Sequence, residues 1–106
     1  MTTLSDEFKK QVADLYIQNR EQLEKLDAEV MEDFATQVLQ LVVKEKKQSE
    51  ALHDLELLEY NMALLKNYSA SLKNYKPDTD EYDFTKNDAK NLVDATKKWL
   101  TLEKLI

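Results

Sequence analysis

LELLEYNMALLKNYSASLKNYKP, Leu55–Pro77, carries the clearest periodicity in the chain. Leu55, Leu58, Met62, Leu65, Ser69 and Leu72 follow one another at alternating steps of three and four residues, the a/d spacing of a heptad. Leu57, Asn61, Leu64, Tyr68, Ser71 and Tyr75 form a weaker stripe beside that seam. At about 100° per residue the two stripes together cover roughly 160° of a helix. A two-stranded coiled coil needs only the narrow seam, so a face this wide predicts a neighbour on each side, as for the central helix of a bundle. The expected helix runs over about 49–75, with Ser49 as N-cap, and Pro77 ends it by holding Lys76 toward extended geometry.

The same stretch repeats LKNY, at Leu65–Tyr68 and again at Leu72–Tyr75. A repeated lysine and tyrosine suggests a gripping surface. Heptad placement divides the tetrad instead. Both leucines fall at d, in the core. Tyr68 and Tyr75 fall at g, inside the apolar arc, with their hydroxyls at its edge. Lys66 and Lys73 fall at e and the asparagines at f, on the polar side. Between the repeats, Ser69, Ala70 and Ser71 are small enough to admit a neighbouring helix closely, or to leave a shallow hollow between the two tyrosines.

Outward from this helix, the composition points the same way. The chain has 106 residues, 42% hydrophobic and 34% charged, with no glycine and a single proline. One domain over 1–106 is the expectation at this length. A β-rich domain needs tight turns, and most tight turns need residues that tolerate positive φ. Without glycine, an all-α chain is expected: a small antiparallel bundle of three or four helices. The first helix should begin near Thr3–Ser5, where Thr3 and Asp6 have capping-box spacing. Apolar residues then recur at helical spacing from Phe8 to Val42. That pattern admits one long helix or two joined near 25–28, where Asp27 can cap a helix starting at Ala28. DTDEYD, Asp78–Asp83, reads as a loop, with Thr85 and Asp88 opening a last helix over about 85–104. The stripe of that helix is Ala89, Leu92, Thr96, Trp99, Leu102 and Ile106, with Val93, Ala95 and Leu100 beside it and Trp99 as a core anchor.

Several kinds of chemistry have no footing in these residues. There is no cysteine, hence no disulfide, thiolate metal site or cysteine nucleophile. A glycine-rich phosphate loop cannot be built without glycine. Glu50 and His53 have the E-x-x-H spacing of di-iron bundles, but His53 is the only histidine, and such sites use the motif twice. DTDEYD holds four carboxylates in six residues, yet counting from Asp78 puts Asp83 and Ala89 where an EF-hand needs glycine and glutamate. No enzyme, metal or cofactor is expected.

Net charge is −6, and it is unevenly spread. Residues 1–43 carry 9 acids and 4 bases, residues 44–77 carry 5 and 6, and residues 78–106 carry 7 and 5. An acidic first half and a single arginine disfavour direct nucleic-acid binding. No apolar run reaches the ~18–20 residues of a membrane span, and the polar N-terminus lacks the pattern of a signal peptide. A cytoplasmic protein is the expectation. Asp27, Glu29, Glu32 and Asp33 cluster on one predicted helix, and with Tyr68 and Tyr75 they are the candidate partner-binding residues. The sequence thus reads as a non-enzymatic interaction module. An adaptor, chaperone-like or inhibitor protein would meet a protein partner, with a basic surface of its own, through this acidic helical face. In size and charge it is similar to small acidic helical inhibitors of phages and mobile elements. The alternative is a structural, self-assembling subunit, such as a homodimer, for which the a/d seam is the warrant.

Overall fold

The structure, a computed structural model, describes residues 4–106. Its elements are α1 (Asp6–Gln18), α2 (Arg20–Glu24), α3 (Ala28–Lys46), α4 (Leu52–Asn74) and α5 (Asp80–Leu102), and no strand occurs among the described residues. The chain is an all-α antiparallel bundle of four principal helices plus the single turn of α2.

Each boundary has a local cause. Ser5 caps α1, its Oγ accepting from the Phe8 N–H, while Asp6 and Glu7 set negative charge against the positive helix end. Thr3, expected to share this role, lies outside the described residues. The stretch from Phe8 to Val42 breaks twice. Asn19 ends α1, its Nδ2 donating to the Leu15 carbonyl. After α2, Leu26 adopts φ 60° and the chain turns. Asp27 then caps α3 as its position predicts, Oδ1 accepting from Val30 N–H at 3.1 Å.

The other two starts differ from the sequence reading. Ser49 does not cap α4. Its Oγ accepts from the Ala51 N–H, closing a turn, and the helix begins at Leu52 with no side-chain cap. Of DTDEYD only Asp78 and Thr79 stay outside a helix. Thr79 Oγ1 accepts from Tyr82 N–H, and α5 starts at Asp80 instead of Thr85. Asp80, Glu81 and Asp83 therefore occupy its first turn, where carboxylates stabilise the helix dipole. Thr79, inside the loop expected from the sequence, also offers a hydroxyl followed by acids, and it caps the helix.

α4 is the centre of the sequence-distant packing. It lies between α3 and α5, while α1 packs on α3 and α5 and α2 fills in beside them. The heptad divides accordingly. Leu55, Met62, Leu65, Ser69 and Leu72 are buried. The e edge faces α3: Glu59 pairs with Lys46 at 3.0 Å and Lys73 with Glu32 at 3.4 Å. The opposite edge faces α5. The wide apolar arc thus has two neighbours, as its breadth predicts. The α5 seam combines members of the expected stripe with the flank beside it. Ala89, Val93, Thr96 and Leu100 are buried, whereas Leu102 is 72% exposed. The core that joins the elements includes Tyr16, Leu23, Met31, Phe34, Leu55 and Met62.

One polar latch ties the start of the described chain to this frame. Glu45, buried near the end of α3, accepts from Ser5 N–H at 2.8 Å and from Ser5 Oγ at 3.0 Å, and takes a third hydrogen bond from Gln48 Nε2. A buried carboxylate is tolerated only when such donors replace water.

Candidate functional site

The acidic face read from the sequence is partly consumed by the fold. Asp27 is a helix cap, and Glu32 is half-buried in its pair with Lys73. Glu29 and Asp33 stay exposed, one turn apart on α3, with no ion pair among the described residues. Other acids of the first half are neutralised locally. Glu21 meets Lys25 at 2.9 Å, and Glu24 meets Lys97 at 3.0 Å and Arg20 at 3.3 Å. Those two cations hold the Glu24 carboxyl below its ordinary pKa, the Lys97 hydrogen bond being the larger influence.

Topology adds acids that the linear sequence kept apart. The α3–α4 and α4–α5 connections are antiparallel hairpins, so α3 and α5 begin at the same end of the bundle. That end carries Asp27 and Glu29 from α3 together with Asp78, Asp80, Glu81 and Asp83 from the α5 start, and Asp33 lies just behind. Lys86 is drawn aside, its Nζ 5.7 Å from the centroid of the Tyr82 ring. The result is an acidic pole built from two segments some fifty residues apart in the chain. Of the candidate tyrosines, Tyr75 sits toward this end and is 40% exposed, while Tyr68 is half-buried against the core. Ser69 is fully buried and donates to the Leu65 carbonyl, so the small-residue stretch serves helix packing.

The opposite half of the α4–α5 seam holds a groove of about 510 Å³. Leu57 and Leu58 form one side, Ala95 and Trp99 the other, and Leu4 closes an end. Trp99, expected in the core, is half-buried in this groove. Its apolar stripe was legible in the sequence, but the separation of the two helices at that level was not.

Ser69, Thr96 and Thr101 each donate to a carbonyl one turn back in their own helix. His53 is exposed on α4. Among the described residues no group of three His, Cys, Asp or Glu side chains is placed to hold a metal ion, and no helix is long and apolar enough to cross a membrane. No protein family, curated protein or solved structure matches the chain.

Proposed function

We propose that this chain is a non-catalytic protein-interaction module whose acidic pole meets a basic surface on a partner protein. The observation that carries this reading is the convergence of the α3 and α5 starts, which places exposed carboxylates from two distant segments at one end. Clustered like charge raises encounter rates with an oppositely charged surface and discourages wrong partners. The bland account is that acids near helix starts complement the dipole, at about 0.3–1 kcal/mol each. That account covers Asp80, Glu81 and Glu29, but not Asp33, which lies beyond the first turn of α3.

The test follows from the placements. Glu29→Lys, Asp33→Lys and Glu81→Lys combined reverse the pole while sparing the Asp27 cap and the Glu32–Lys73 pair. Affinity capture from the source cell, read by mass spectrometry, should lose its main partner with this variant. Circular dichroism would verify that the helices remain. Undiminished capture by the folded variant would exclude the pole as the binding surface.

A further inference from the structure

We propose that the groove between α4 and α5 docks an amphipathic helix of a partner protein, its apolar stripe on Leu57, Leu58 and Trp99 and its Lys or Arg flank facing Asp54. This rests on the interaction-module reading but uses a surface remote from the acidic pole.

Three features of the groove select that occupant. The first is length. Asp54 to Asn61 on α4 spans about 10 Å at ~1.5 Å per residue, which matches the i to i+7 stripe of a docking helix. The parallel edge on α5 runs from Ala95 to Trp99, and Glu103 follows at the end of the groove.

The second is chemistry. Leu4, Leu57, Leu58, Ala95 and Trp99 give the groove its apolar surface, and Leu57 is 54% exposed although it lies in the apolar arc of α4. Around them stand polar groups, Asp54 in the first turn of α4 among them. The Asp54 carboxylate, the Asn61 amide and the Trp99 indole N–H make no hydrogen bond or ion pair among the described residues. An apolar cleft with a few convergent polar groups is the usual form of a binding site, and a half-exposed tryptophan is a common anchor of interfaces.

The third is charge. The one cation at the groove, Lys9, is already engaged, 3.2 Å from Glu103 and 3.8 Å from Asp6. Asp54 therefore stands unneutralised at the rim, and the chain as a whole carries −6. A second copy would bring the same negative charge to the same place, whereas a Lys- or Arg-flanked helix would complement it.

Trp99 is the only tryptophan, so its emission reports on this groove alone. The probe is a displayed library of randomised helical peptides of about 16 residues lacking tryptophan, a length that supports helix formation on binding. The full chain is the bait. Enriched peptides should carry apolar residues at i, i+3 or i+4, and i+7 beside Lys or Arg. Binding should move the Trp99 emission to shorter wavelength. Leu57→Asp and Asp54→Lys should each weaken it about tenfold, as loss of an interface anchor or a charge contact does. Ala95→Arg, at an exposed position, should block the groove sterically without touching the core. Failure to enrich any peptide would overturn the proposal. So would peptides that bind all three variants undiminished and leave the Trp99 emission unmoved. Sedimentation showing a dimer that Leu57→Asp dissolves would assign the groove to a second copy instead. The two readings fail separately: loss of partner capture in the pole variant tests the pole, and the peptide measurements test the groove.

Discussion

Tyr16 carries the one buried side-chain polar atom that lacks a hydrogen-bond partner among the described residues. Its ring is fully buried and meets Phe34 edge to face, with centroids 6.2 Å apart at 75°. The ring contributes packing, while no group among the described residues is placed to hydrogen-bond the hydroxyl. Tyr16→Phe keeps the ring and removes the orphaned group, so it should raise stability by about 1 kcal/mol, read as a higher urea midpoint. Burial, with help from the charges of Glu24 and Asp94, pushes the phenol pKa above its ordinary value. A raised pKa means that the folded state favours the neutral phenol. The associated stability is complete below the unfolded value of about 10 and is lost as pH rises through the folded one. Alkaline unfolding should therefore steepen above about pH 10 in the wild type, and Tyr16→Phe should flatten that limb.

At the scale of the element, the helix ends show what the absence of glycine demands. Leu26 and Lys104 both take left-handed φ, 60° and 61°, just after a helix. Both sit in the same motif. Leu26 N–H reaches the Leu23 carbonyl and Asp27 N–H the Gln22 carbonyl, while Lys104 and Leu105 do likewise to Thr101 and Leu100. Glycine is the usual residue at that position because a Cβ there costs about 1–2 kcal/mol. Lys104 is exposed, so its side chain offers no compensating burial. Lys104→Gly should relieve that strain, offset by the greater freedom of glycine in the unfolded chain, about 0.4–1 kcal/mol. The expected net gain is about 0.5 kcal/mol, a melting temperature higher by about 2–4 °C. Leu26 is different, because it is half-buried against the core and a glycine there would lose packing.

Across the whole molecule, α1 is held by the core and by the Glu45 latch. Leu4 and Phe8 are buried on either side of Ser5, whose N–H and hydroxyl both donate to Glu45. Glu45→Ala would leave those donors without acceptors and open space beneath them. A loss of about 3 kcal/mol is expected, since hydrogen bonds to charged groups contribute about 1.5–3 kcal/mol each and are not additive. Hydrogen exchange should show amides near the start of α1 opening before those of α3 and α4. Uniform loss of protection across all helices would show instead that α1 unfolds only with the rest.

The sequence by itself determined the helical class and the identity of α4 as the element with two neighbours, and it offered the Asp27 start of α3 as one of two readings. Those features follow from contacts a few residues apart, such as heptad spacing and a cap reaching three residues on, and such contacts are written in the local order of the chain. It placed the start of α5 at Thr85, whereas Thr79, also a hydroxyl followed by acids, is the cap. Only the α5 boundary observed in the fold turns residues 80–83 from a loop into a first helical turn. Nor did the sequence place the two acidic segments at one end, spend Asp27 and Glu32 on internal contacts, or set Trp99 between the core and an open groove. These were decided by tertiary structure. Which carboxylates share a surface, and where two helices stand apart, depend on antiparallel packing between residues that no local periodicity connects.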